Sequence, residues 1–268
     1  MIYAFGDSFT AGLGVDRTWE ESQLGNHPKW DVMSDDEKSI QRHKVEIFRN
    51  EKSYVAQFSK KLKTNYQNFA QAGCNNIQIL DNVIDKSSRF KEDDLVLIGF
   101  TSSLRDNLPY FPTQITKGIA MNNDVFKTLT HMKIDFDFRE TNGKEFSDFF
   151  QDYSSFYFTE MFDEKYYEIF NYNIIVFLQK FFEYKKINYI MLDAFDNMLN
   201  KKLKHIDTKY YWNFNKKTIF SYISSFKDKN LLEKKGYNAS DITPRHPSIE
   251  GHKVFAEELY RYYKEIYI

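Results

Sequence analysis

Two short stretches carry the residue types from which acyl-transfer chemistry is built. The chain opens MIYAFGDSFTAGLG, placing Ser8 on a glycine turn directly after an apolar run. Near the other end lies DITPRHPSIEGHKVFAEEL, Asp241–Leu259. A serine hydroxyl is a weak nucleophile until a base takes its proton, and histidine is the usual base. Of the six histidines, His27, His43, His131, His205, His246 and His252, only the last two stand in a patterned setting. His246 falls in a loop and is followed by proline, as suits a rigid turn. His252 lies six residues on, inside a helical pattern, so the two do not readily point into one pocket. Ser8 is therefore the candidate nucleophile and His246 the candidate base. Gly6 permits the sharp turn, and a backbone N–H at a following helix start could stabilise an oxyanion. Taken singly, Gly-Asp-Ser also reads as an ordinary turn, and a loop histidine as a surface or capping residue.

Phosphate chemistry fits less well. Gly6 and Gly12 are followed by Leu13 rather than the lysine a P-loop needs, and Gly12-Leu13-Gly14 runs on into Val-Asp-Arg, not the dinucleotide fingerprint. With no HxxxH, no CxxC and no dense carboxylate cluster, neither a metal nor another cofactor is expected.

The elements that must position Ser8 and His246 follow from hydrophobic pattern. Short apolar runs at Ile2–Phe5, Leu95–Phe100 and Tyr189–Leu192, and a weaker stretch near Gln67–Ala70, read as strands, each running into a polar or glycine-rich turn. Lys52–Leu62, Asn76–Ile84, Tyr167–Tyr184 and Ser248–Tyr263 read as helices, with Ser248 an N-cap. Strands alternating with helices predict an α/β fold with a parallel sheet covered on both faces. Two stretches interrupt the alternation, 17–50 and 105–166; they read as helical and loop insertions into a single domain spanning 1–268, either lids over the carboxyl edge of the sheet or loops and helices packed on a flank.

With 37 basic and 38 acidic residues, the chain has no general attraction for nucleic acid or anionic lipid. One cysteine, Cys74, excludes an internal disulfide and fits a reducing compartment. No signal peptide and no membrane-spanning run is visible, so a cytoplasmic location is expected, with no membrane or nucleic-acid partner. The aromatic share, 18%, fits either codon bias or an aromatic-lined groove for sugars.

Together the motifs resemble the SGNH hydrolases, the GDSL family. GDSFTAG, Gly6–Gly12, matches its first block; NFAQAGCNN, Asn68–Asn76, matches the second, with Gly73 as the block's glycine; HPSIEGHKVFA, His246–Ala256, matches the last. The matches come in family order and span almost the whole chain. The resemblance implies a three-layer α/β/α fold with a flavodoxin-like sheet, and a serine esterase acting on a small-molecule or glycan ester. Ser8 would be the nucleophile, His246 the base, and the N–H groups of Ser8 and Gly73 oxyanion donors. Two departures stand out. The family's third block, G-x-N-D, reads GFTSSLRD here, Gly99–Asp106, so Thr101 stands in the place of the oxyanion asparagine and Ser102 in that of the aspartate. Ser103 or Arg105 is a further candidate donor. The family's acid lies three residues before the histidine; here Thr243 holds that place and Asp241 lies five before, which leaves a Ser8–His246–Asp241 triad or a Ser8–His246 dyad. An acyltransferase, or a non-catalytic glycan-binding scaffold, are the alternative functions.

Smaller assignments complete the reading. Asp7 is expected to brace the turn, Cys74 to pack, and Asn75 and Asn76 to end the loop and cap the next helix. Asp193 and Asp196 should follow the fourth strand at the functional edge.

Overall fold

A computed structural model describes residues 1–15, 23–24, 27–102, 105–106, 119–120, 164–194, 197–199, 204–232 and 246–268. Four strands form one sheet: β1 (Ile2–Gly6), β2 (Tyr66–Asn68), β3 (Leu95–Phe100) and, after two short strands, β6 (Asn188–Asp193). The spatial order is β2-β1-β3-β6 and every pairing is parallel. The short strands β4 (Arg105–Asp106) and β5 (Ile119–Ala120) make a separate antiparallel ladder. The helices among the described residues are α1 (Asp35–Lys52), α2 (Tyr54–Leu62), α3 (Asn76–Lys86), α4 (Glu164–Lys185), α5 (Ile219–Ser224) and α6 (Ile249–Tyr267).

Strand alternation explains why the apolar runs are unbroken. Tyr3 and Phe5, with Val96, Ile98 and Met191, face a cluster built with α3 and α4 through Ile79, Val83, Leu178 and Phe182. The residues between them, Ile2, Ala4, Leu95, Leu97 and Leu192, face the opposite cluster, built with α2, α5 and α6 through Val55, Phe58, Ile219 and Phe255. Successive side chains of a strand point to opposite faces, and both faces are buried. The result is three layers, α/β/α, with the parallel sheet in the middle, as the alternation of elements predicts.

Most boundaries fall within a few residues of expectation. Ser248 is the N-cap of α6, its Oγ accepting the Gly251 N–H at 3.3 Å. The helix expected over Lys52–Leu62 is α2, which starts two residues later because Ser53 ends α1 and caps α2 through the Ala56 N–H. The stretch 17–50, read as an insertion of loops and helices with no helix bounds assigned, contains most of α1. Its sequence, DDEKSIQRHKVEIFRNEK, buries only Val45, so no apolar stripe announces it. What specifies it is local: a reciprocal Ser34–Glu37 capping box and three acidic residues in the first turn. Of 105–166, only the β4–β5 ladder and the start of α4 are described; the lid-or-flank question lies outside the described residues. Among the described residues, no helix is long and apolar enough to cross a membrane.

Candidate active site

The carboxyl edge of the sheet gathers the candidate residues. β1 ends at Gly6, and the chain then turns rather than entering the expected helix: Ala11 N–H donates to Asp7 O at 2.9 Å and Leu13 N–H to Ser8 O at 3.0 Å, a single helical-type loop within the described residues. Asp7, fully buried, accepts the Phe9 N–H on Oδ1 at 3.0 Å, so it braces the turn as expected. Thr10 anchors the turn from below. Its hydroxyl shares a 3.0 Å hydrogen bond with Tyr54 OH and occupies the space that side chains at Gly6 and Gly99 would fill. Gly99 is thus a gap in β3 kept for Thr10. Burial, with the nearby Asp7 charge, pushes the Tyr54 phenol well above its ordinary range, so it stays protonated.

Ser8, 8% exposed, presents its Oγ to His246 Nε2 at 2.9 Å, although the two are 238 positions apart. Three features place the imidazole. Pro247 pairs with Leu232 in an antiparallel bridge. Ser248 N–H donates to Leu231 O at 3.0 Å while its side chain caps α6. The ring then packs at 5.2 Å from the Phe9 ring, and the His246 Cβ lies against Gly14. Gly14 has φ +83°, and a Cβ there would stand 2.5 Å from the His246 Cβ. In sequence Gly14 is only part of a failed nucleotide fingerprint; in the structure it is the seat of the histidine.

The second glycine block continues beyond β2 along the same side of β1. Phe69 N–H donates to Ala4 O at 2.7 Å and Gln71 N–H to Gly6 O at 2.9 Å. Asn68 Nδ2 donates to Thr10 O at 2.8 Å, and the Cys74 thiol to Gly6 O at 3.3 Å. Gly73 therefore turns beside the end of β1, at φ +81°. Among the described residues, neither the Ser8 nor the Gly73 backbone N–H donates a hydrogen bond.

Thr101 follows β3 at the same edge, since Gly99 pairs with Gly6 in register. It is fully buried; its N–H donates to Asn76 Oδ1 at 3.0 Å, and its hydroxyl has no partner among the described residues. Asn75 caps α3 as expected. Asn76 does not share in the cap; its side chain turns inward to the β3 exit. Asp193 ends β6, buried, and accepts the Tyr211 hydroxyl at 2.6 Å. Asp241, Asp196 and Ser103 lie outside the described residues, as does the Arg105 side chain.

His252 is separate from this site. It is completely buried in α6, and its Nδ1 accepts the Tyr54 N–H at 3.2 Å while the rings stack. Desolvation pulls its pKa down to about 3, partly offset by the Leu13 carbonyl, so it is a neutral structural link between α6 and α2.

No protein-family model matches the chain, and no curated protein does. Two solved structures resemble it over nearly its whole length. A lipase from a goat rumen metagenome is 16% identical, with 97% of this chain and 96% of that one covered and a TM-score of 0.44. A protein assigned to the G-D-S-L lipolytic family, from Desulfitobacterium hafniense, is 13% identical, with 97% and 98% covered and a TM-score of 0.32.

Proposed function

We propose that the protein is a serine ester hydrolase of the SGNH type. The observation that carries this is the 2.9 Å contact of Ser8 Oγ with His246 Nε2 at the carboxyl edge of a parallel sheet. In this reading Ser8 Oγ attacks the ester carbonyl as His246 Nε2 takes its proton, which requires the neutral tautomer protonated at Nδ1. The tetrahedral oxyanion forms over the Ser8 and Gly73 N–H groups, both without an internal acceptor among the described residues. Collapse breaks the bond to the leaving alkoxide, which receives the proton back from His246 Nε2. Water, deprotonated by the same nitrogen, then releases the acid and regenerates Ser8. Thr101 stands where the family's asparagine would donate, and Asp241 is the residue that would hold Nδ1.

The test is Ser8→Ala on a small chromogenic ester, together with labelling of the wild type by a fluorophosphonate probe. Ser8-dependent turnover and covalent labelling at Ser8 are the expected results. A folded wild type that neither turns over nor labels would overturn the hydrolase and favour a binding scaffold. Preferential acyl transfer to an added sugar would make it a transferase.

A further inference from the structure

We propose that Asn76 is a positioning residue of this site: its amide locks the exit of β3 to the Gly73 loop and so fixes the spacing of the groups that would meet the oxyanion. The proposal rests on the hydrolase reading above.

Asn76 is the first residue of α3, where an amide side chain ordinarily serves the helix end. That need is already met. Asn75 Oδ1 accepts the Gln78 N–H at 2.9 Å, and Gln78 Oε1 accepts the Asn75 N–H at 3.0 Å. The Asn76 side chain is instead 97% buried and directed across the carboxyl edge. Its Oδ1 accepts the Thr101 N–H at 3.0 Å. Its Nδ2 faces Thr101 O and Ser102 O, both at 3.4 Å, and Asn171 Oδ1 of α4 at 3.3 Å. One amide thereby joins three segments: the loop carrying Gly73, the β3 exit carrying Thr101, and α4.

The backbone explains why an amide is used there. Beyond Phe100 the sheet ladder has ended on the β1 side, so buried peptide groups at the β3 exit need other partners. Asn76 offers an acceptor to the Thr101 N–H and donors to the neighbouring carbonyls, which no aliphatic side chain can do. Register places the β1 exit, with Ser8, beside this β3 exit, because Gly6 pairs with Gly99. Gly73 sits three residues before Asn76 on the same rigid loop-to-helix segment. The Asn76 side chain is taken up by the β3 exit and α4, so it acts through the Thr101 backbone and the loop that carries Gly73. Oxyanion donors must lie within a narrow range, roughly 2.7–3.1 Å from the charge they stabilise, so loosening this tie lowers turnover more than ground-state binding.

The experiment measures kcat, KM and phenylboronic acid inhibition for Asn76→Ala, Asn76→Asp and Asn171→Ala, with thermal unfolding as the fold control. Boronate forms a tetrahedral adduct on a reactive serine and reports the oxyanion geometry. Asn76→Ala is expected to lower kcat by about 10–100-fold, weaken boronate inhibition in parallel and change KM by less than about threefold. Asn76→Asp keeps the acceptor for the Thr101 N–H and falls between Asn76→Ala and wild type. Asn171→Ala removes the acceptor that Asn76 Nδ2 meets on α4 and shows the same split at about two- to fivefold, which decides the matter should Asn76→Ala not fold. Unchanged kcat in the folded variants, or a loss confined to KM, overturns the positioning role. Wild type and Ser8→Ala run alongside. Ser8-dependent turnover with indifferent Asn76 and Asn171 variants overturns this proposal alone, whereas a wild type without Ser8-dependent turnover overturns the hydrolase reading and this one with it.

Discussion

Gly14→Ala is the substitution that most directly tests whether the Ser8–His246 contact performs chemistry. The added Cβ would lie 2.5 Å from the His246 Cβ and 3.1 Å from the Pro247 carbonyl oxygen. Carbon atoms pack comfortably at about 3.5 Å, so the histidine must retreat by about 1 Å. Retreat along the line of the contact would stretch the 2.9 Å Ser8–His246 hydrogen bond to about 3.9 Å, beyond useful proton transfer. A misplacement of about 1 Å costs on the order of 10²-fold in rate, or about 2.7 kcal/mol of barrier. The backbone adds a separate cost: φ +83° is a left-handed conformation that costs a non-glycine residue about 1–2 kcal/mol of stability. Gly12→Ala is the control. It shares the left-handed backbone, at φ +80°, but its Cβ would meet the Arg49 carbonyl oxygen of α1, 2.5 Å away, and not the histidine. The assay is kcat/KM on a small chromogenic ester, with the rate of fluorophosphonate labelling at Ser8 and thermal unfolding of both variants. Both should lose a few degrees of Tm; only Gly14→Ala should lose about 10²-fold in both rates. A folded Gly14→Ala with kcat/KM within about threefold of wild type would refute the seating of His246 as the determinant of activity.

Three further outcomes test the remaining assignments. His252 binds a proton in the unfolded chain near its ordinary pKa of 6.5 but not in the folded protein until about pH 3, so its contribution is fully present above pH 6.5 and lost as pH falls toward 3; His252→Gln, followed by urea unfolding across that range, should flatten the acid limb, and an unchanged slope would remove His252 as its source. Thr101→Val deletes a buried hydroxyl with no partner among the described residues, so Tm should hold or rise, while kcat falls about tenfold if the hydroxyl serves the oxyanion; an unchanged kcat removes Thr101 from that role. Asp241→Asn should lower kcat by about 10²–10⁴-fold in a triad, measured on the same ester, while a change under about threefold identifies a Ser8–His246 dyad.

What the chain revealed in advance was local. The apolar runs of β1, β3 and β6 are short, continuous and bounded by turn residues, so they read as strands buried on both faces. The caps at Asn75 and Ser248 are written in neighbouring residues and could be read there too. The bounds of α1, mostly inside an insertion read as loops and helices, were not legible because its specification is electrostatic and capping-based, with one buried residue and no apolar stripe. Ser8 and His246 were legible as candidates because each sits in a motif whose residue types imply its chemistry.

Proximity was another matter. Sequence alone determined that a serine on a glycine turn and a histidine before a helix were present, and that a parallel sheet could carry them. Only the tertiary structure decided that they meet, because the 2.9 Å contact depends on β1, the Leu232–Pro247 bridge and the Gly14 seat all being in place. It also reassigned residues whose partners are remote in the chain: Gly99 makes room for Thr10, His252 links two helices, and Asn76 serves the β3 exit rather than its own helix. Local propensity is set by neighbours in sequence, whereas these roles are set by contacts that exist only once the layers have packed.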